Sequence, residues 1–200
     1  LTPVYKFRAC RDNIPVASQA LEVRGGLGYI EEWATARLVR DAQIGVLWEG
    51  TSNINALDVI DRVVPRVRAH EELSSHLLGV IEGLKELPDD FRSKLAAIVQ
   101  RTVAFAEEVA EARDSELARQ VAEALYHIIT AVLLTQEGVK GARINGDACR
   151  LVMAKAVVEN RLASRDLLQK RNKRLDETFA DLLLNDAPVS LEESLRVLAL

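Results

Sequence analysis

Three short segments in the first quarter of the sequence carry the residue types that chemistry needs. Glu49 stands directly before Gly50 and Thr51, and a carboxylate beside a residue with no Cβ can come close to a reacting carbon. In a desolvated pocket its pKa would rise toward the working pH, the condition for a general base. The plainer alternative is a solvated acid near a helix N-terminus, favoured there by the dipole. Upstream, Gly25-Gly26-Leu27-Gly28 cannot continue a helix cheaply, since each glycine costs about 1 kcal/mol relative to alanine. A tight loop with its backbone open to close approach is expected, with a plain inter-helix turn as the alternative. Between them lies Arg40-Asp41-Ala42, read as a structural pair orienting the chain that leads to Glu49.

Together, in this order and spacing, Glu22-Val23-Arg24-Gly25-Gly26-Leu27-Gly28-Tyr29, Arg40-Asp41-Ala42 and Trp48-Glu49-Gly50-Thr51-Ser52-Asn53-Ile54 closely resemble the C-terminal helical domain of the acyl-CoA dehydrogenase family. Its members carry a GGxGY loop, an RDA segment and an EGT turn, and the resemblance runs from about Leu1 to Arg68. It implies that Glu49 removes the α-proton of a bound acyl-CoA thioester while the β-hydride passes to the flavin of FAD. It further implies that Gly50 contacts substrate and that Thr51 and Asn53 meet the flavin nucleotide of the subunit's own site. Glu22, Val23, Arg24, Gly25 and Gly26 would line the adenosine-diphosphate moiety of FAD in a neighbouring subunit, where glycine amides suit a pyrophosphate. A site shared in that way implies a homo-oligomer, a dimer or tetramer.

The sequence departs from the family at Glu22, where glutamine is usual; a carboxylate has no amide donor and repels phosphate. Glu22 and the Trp48-Glu49-Gly50 order resemble the alkylation-response branch, whose members append a helical domain similar to a nucleic-acid-binding module. Two other readings therefore stand beside the dehydrogenase one. One is a flavoprotein with a nucleic-acid-associated C-terminal module; the other is an oligomerisation bundle with a vestigial flavin site. The family's N-terminal helical domain and middle β-domain have no counterpart in the sequence. The chain alone is therefore expected neither to hold FAD tightly nor to turn over substrate. Its start at Leu1-Thr2-Pro3, without an initiator methionine, reads as part of a longer protein, cloned or proteolysed.

Other candidate groups point to structure. Arg161, Arg165, Lys170, Arg171, Lys173 and Arg174 form a cationic stretch, but Asp176, Glu177 and Asp181 soon balance it and nothing aromatic interleaves for base stacking. It reads as a solvated helix end, and nucleic-acid binding is not expected in a chain of net charge −4. His70, His76 and His127 have no metal-ligand spacing, so no metal site is expected. Cys10 and Cys149 lie far apart with no CxxC pattern and read as reduced, buried thiols.

The elements that would position these groups are helices. Apolar residues make up 48% of the sequence and aromatic ones only 4%, with Ala, Leu, Val, Glu and Arg abundant, which argues for an all-α chain. Val4, Phe7, Ala9, Ile14, Ala17 and Leu21 recur at helical intervals behind Thr2 and Pro3. A short helix is expected over Glu31–Asp41, and another after an N-cap at Thr51 or Ser52 with Ile54, Leu57, Ile60, Val64 and Val67 on its apolar face. The first domain, a bundle of the acyl-CoA dehydrogenase C-terminal type, is placed at residues 1–70. Residues 71–200 are read as an appended bundle of four or five helices, punctuated at Leu87–Asp90, Arg113–Ser115 and Gly141–Gly146. Its clearest stripes are Leu117, Val121, Ala124, Leu125, Ile128, Val132, Leu133 and Ala148, Leu151, Val152, Ala156, Leu162. No apolar run reaches the roughly 18 residues of a membrane span, and no signal peptide is visible, so a cytoplasmic setting is expected.

Overall fold

The computed structural model describes residues 2–48, 50–163, 168 and 172–200. Among the described residues there are helices and turns and no strand, as the composition implies. The order is α1 (Thr2–Val23), α2 (Gly26–Tyr29), α3 (Ala34–Ile44), α4 (Ser52–Asp58), α5 (Ala69–Gly83), α6 (Asp89–Ala112), α7 (Ala118–Asn145), α8 (Cys149–Val157), α9 (Lys173–Leu183) and α10 (Leu191–Leu198). Helices α4 and α8 each run on into a π-helical turn, Val59–Val63 and Val158–Leu162.

The chain forms two compact units, Leu1–Ala69 with Phe105–Tyr126, and His70–Ala104 with His127–Leu200, so α6 and α7 each contribute to both. In the first unit α1 packs against α3 and α4. Val4 and Phe7 are its buried residues, while Ile14, Ala17 and Leu21 are only half covered. The Arg8 guanidinium forms an ion pair with Asp12 at 2.9 Å and donates to Glu123 at 2.7 Å, fixing α1 to the first turns of α7. The apolar face after Thr51 is centred differently from the expected stripe. Ala56, Val59, Ile60, Val63 and Val64 are buried, whereas Ile54 and Val67 are exposed. Ile54 lies in the first turn of α4, at its open end. The π turn, closed by the Val64 N–H to the Val59 carbonyl at 2.9 Å, ends the regular register before Val67.

In the second unit Leu73, Leu77 and Ile81 of α5 and Phe91, Leu95, Ile98 and Val99 of α6 bury the faces that helical spacing assigns them. Ile128, Val132 and Val139 of α7 and Leu151, Val152 and Val158 along α8 complete that interior. Leu133, placed on the same stripe by its sequence position, is exposed. The break expected over Gly141–Gly146 falls at the end of that range: α7 runs on to Asn145 and the chain turns at Gly146, φ 75°. Glycine is needed within α7 for a different reason. A Cβ on Gly138 would lie 2.6 Å from the Leu151 nitrogen, and one on Gly141 would lie 2.4 Å from the Asp147 carbonyl oxygen. Beyond α8, Val152, Leu175, Phe179, Val189 and Val197 form a small core that seats α9 and α10. The buried Lys155 ammonium donates to the Leu198 carbonyl at the end of α10, 3.3 Å away, and pairs with Glu159 at 3.3 Å. Glu159 also meets Lys94 at 2.8 Å. Burial raises its carboxyl pKa, but the hydrogen bond from Lys94 and the charge of Lys155 outweigh that and hold it below its usual value. Among the described residues no helix is long and apolar enough to cross a membrane.

Candidate functional site

The end of α1 is built to turn sharply without closing over its backbone. The Arg24 and Gly25 amides donate to the Leu21 and Glu22 carbonyls at 3.1 and 2.9 Å, and Gly25 then takes the left-handed φ of 59°. The expected loop is partly helical: Gly26–Tyr29 winds one turn, because a single left-handed glycine is enough to redirect the chain. Gly28 is the buried member, and a Cβ there would lie 2.3 Å from the Leu21 carbonyl oxygen. The buried Thr35 hydroxyl donates to the Gly28 carbonyl at 2.8 Å and locks this turn to the start of α3. Gly25 and Gly26 are the opposite case, since a Cβ on either would meet nothing within 4 Å. With Glu22, Val23 and Arg24 exposed around them, the turn presents open backbone and one cation. That arrangement fits a polyphosphate ester approaching from solvent, with the Glu22 carboxylate as the one unfavourable group.

Arg40 and Asp41 do not pair with each other. Neighbours on a helix point about 100° apart, so each takes its own partner. The Arg40 guanidinium holds both oxygens of Glu31, at 2.7 and 3.1 Å, and Asp41 lies 4.0 Å from Arg37, one turn back. The hydrogen bond and charge of Arg40 hold the exposed Glu31 carboxyl below its usual value.

After α3 the chain turns through Gly45 to Trp48; Glu49 lies outside the described residues. Gly50 follows with φ 100°, a conformation that side-chain-bearing residues rarely adopt. Thr51 occupies the N-cap of α4 as expected, but its hydroxyl makes no capping bond, and Thr51 and Asn53 are both exposed. What holds the turn comes from elsewhere. The Asn55 side-chain amide donates to the carbonyls of Gly50 at 2.9 Å and Thr51 at 3.1 Å, and Arg11 of α1 donates to the Ser52 hydroxyl at 3.1 Å. Burial, then repulsion from Arg119 and Arg8, lowers the Arg11 pKa, and its guanidinium lies 5.8 Å from the centre of the Phe7 ring. Because Ser52 sits beside Arg11, the start of α4 and the Gly25 turn are separated by about 18 Å of α1.

Asn55, Thr35 and Arg11 were not singled out by the sequence patterns. Asn55 has a local signal, an amide side chain four residues after an N-cap, whereas Arg11 to Ser52 is a long-range contact that no spacing rule reveals. Of the cationic stretch, Arg165, Lys170 and Arg171 lie outside the described residues. Arg161, Lys173 and Arg174 are exposed, with Lys173 3.5 Å from Glu177. His70 and His127 are buried and His76 is exposed. Both cysteines are free and half-buried rather than buried, and partial burial, then the charge of Asp147, raises the Cys149 thiol.

Comparison with known proteins agrees with the motifs. Residues 1–64 match the family model of the acyl-CoA dehydrogenase C-terminal domain. The chain is 29% identical over 143 residues to acyl-CoA dehydrogenase family member 11 of Caenorhabditis elegans, an alignment covering 67% of this chain and 23% of that protein. It is 38% identical over 82 residues to the putative acyl-CoA dehydrogenase AidB of Escherichia coli strain K12, covering 41% of this chain and 15% of that one. The mitochondrial short-chain specific acyl-CoA dehydrogenase of Bos taurus is 34% identical over 64 residues, 32% of this chain and 16% of its own length. The chain thus spans about a quarter or less of the length of these relatives, and the first two alignments are longer than the family-model segment. No solved structure matches the chain.

Proposed function

We propose, because residues 1–64 match the family model of the acyl-CoA dehydrogenase C-terminal domain, that the chain is the C-terminal part of an FAD-dependent oxidoreductase that desaturates an acyl-CoA thioester between its α and β carbons. Glu49 is the base that takes the α-proton, and Gly50 would contact the substrate through its backbone. FAD, when bound, supplies the acceptor for the β-hydride. Thr51 and Asn53 would hold the flavin nucleotide at the subunit's own site. Glu22, Val23, Arg24, Gly25 and Gly26 would hold the adenosine diphosphate of FAD in a neighbouring subunit, so the protein works as a homo-oligomer. Glu22 would serve through its backbone, because its carboxylate repels phosphate. Residues 71–200 would be the appended helical module, of which Phe105–Tyr126 is grouped with the first compact unit.

The single observation that carries the reading is the EGT turn within the family match: a glutamate followed by a glycine at φ 100° whose carbonyl is clamped to α4. A base must be held to within a fraction of an ångström of the carbon acid, and loose placement costs orders of magnitude in rate. The test is anaerobic bleaching of the flavin absorbance by acyl-CoA in the full-length protein. Glu49→Gln keeps the shape and removes the basic oxygen, and bleaching is expected to slow by about 10²–10⁴-fold with flavin content unchanged. Bleaching at the original rate would remove Glu49 from the role.

A further inference from the structure

Gly50 gives the segment after Glu49 its greatest freedom. It has no side chain to restrict its backbone, and its φ of 100° is one of many values open to it. Fixing such a residue costs backbone entropy, so something outside the residue must hold it. That group is on α4. The half-buried Asn55 amide nitrogen donates to the Gly50 carbonyl at 2.9 Å and to the Thr51 carbonyl at 3.1 Å. The Thr51 carbonyl already accepts the Asn55 backbone N–H at 3.1 Å, the first bond of the helix. The Gly50 carbonyl lies outside the helix, so binding it adds nothing to the helical ladder. It fixes the peptide plane between Gly50 and Thr51. The same amide also packs against the face of Gly50, where a Cβ would lie 3.4 Å from its nitrogen.

We infer that Asn55 is a positioning residue: it clamps the turn that presents Glu49, and through that turn sets how well the base is aimed, an inference that rests on the reading of Glu49 given above. An asparagine that merely stabilised α4 would need only the bond to Thr51, which by itself is neutral or slightly unfavourable to a helix. The clamp makes a different demand, on geometry rather than on stability. Asn55→Leu keeps the bulk and loses both donors. Asn55→Asp keeps the shape but aims a carboxylate at two carbonyl oxygens and brings a negative charge near Glu49. Asn55→Gln keeps the amide on a longer stem.

The experiment uses the full-length, flavin-loaded protein with an acyl-CoA substrate, and measures kcat and KM per bound flavin, the pH profile of kcat, and hydrogen exchange of peptides spanning residues 46–54. Asn55→Leu is expected to lower kcat about 10-fold or more with KM nearly unchanged, as loss of aim would do. Amide exchange around Gly50 should quicken while flavin content stays the same. Asn55→Gln should recover part of the rate. Asn55→Asp should move the acid limb of the pH profile upward, since a like charge raises the pKa of the base. An Asn55→Leu protein with unchanged kcat per flavin and unchanged exchange near Gly50, while Glu49→Gln is inactive, would overturn the clamp and leave the base reading intact. Full activity in Glu49→Gln would remove the base reading and the clamp together.

Discussion

Two pairs of glycines use the same residue in opposite ways. Gly25 and Gly26, at the end of α1, have open space where a side chain would stand. Gly138 and Gly141, within α7, have backbone atoms there at 2.6 and 2.4 Å. The contrast extends to their surroundings. Around the first pair large apolar side chains face outward, Val23 at 88% and Tyr29 at 78% exposure. Around the second pair Leu151, Val152 and Val132 are fully enclosed. A glycine facing outward leaves backbone for something to approach. A glycine facing inward has already been approached by the protein's own chain. The same letter in the sequence thus leaves backbone open at one pair and makes room for a neighbouring backbone at the other.

The largest effect that would sharpen this contrast is in the closed region. Leu151→Ala should destabilise the chain by about 2–5 kcal/mol in chemical denaturation, the usual range for a buried leucine. Gly138→Ala should cost about 1–3 kcal/mol, because the Leu151 backbone must move to admit a methyl group. The Glu159 carboxylate gives a smaller effect that depends on pH. Its folded-state pKa lies below the unfolded one, so its contribution is complete above about pH 4.3, the unfolded carboxylate value, and is lost as pH falls through the folded value. Glu159→Gln should therefore flatten the acid side of the stability profile, and an unchanged acid limb would show that the pairing with Lys94 and Lys155 carries no net weight. Least of all should change in the open region. Val23→Ser and Tyr29→Ser are expected to stay within about 0.5 kcal/mol of the parent chain. A loss there comparable to that of Leu151→Ala would break the comparison, by showing that these side chains are enclosed after all.

The same contrast explains what could be read from the sequence. Helical periodicity found the stripes of α7 and α8 because the chain itself covers Val121, Leu125, Ile128, Leu151 and Val152. It misplaced Ile54, Val67 and Leu133, which sit at an open end, beyond a π turn and on an exposed face. A residue's spacing does not say whether anything covers it. It found the break over Gly141–Gly146 but not that α7 continues past Gly141, where the glycine makes room for the Asp147 carbonyl. In the open unit periodicity said little about the site and the motifs said most, since Gly25, Gly50 and Thr51 are there for local geometry rather than for burial. The groups that hold those motifs in place were hidden. Arg11 reaches Ser52 across sequence, Thr35 holds Gly28, and Arg40 takes Glu31 rather than its neighbour Asp41.

If Glu49 removes a proton from carbon, as proposed, hydrogen exchange at that carbon depends on its side chain. Full-length protein is incubated in D2O with an acyl-CoA, and the α-hydrogens are followed by NMR. The account predicts wash-in of deuterium at the α carbon in the parent protein and a loss of about 10²-fold or more in Glu49→Gln, with FAD still bound. Equal exchange in both proteins would contradict it.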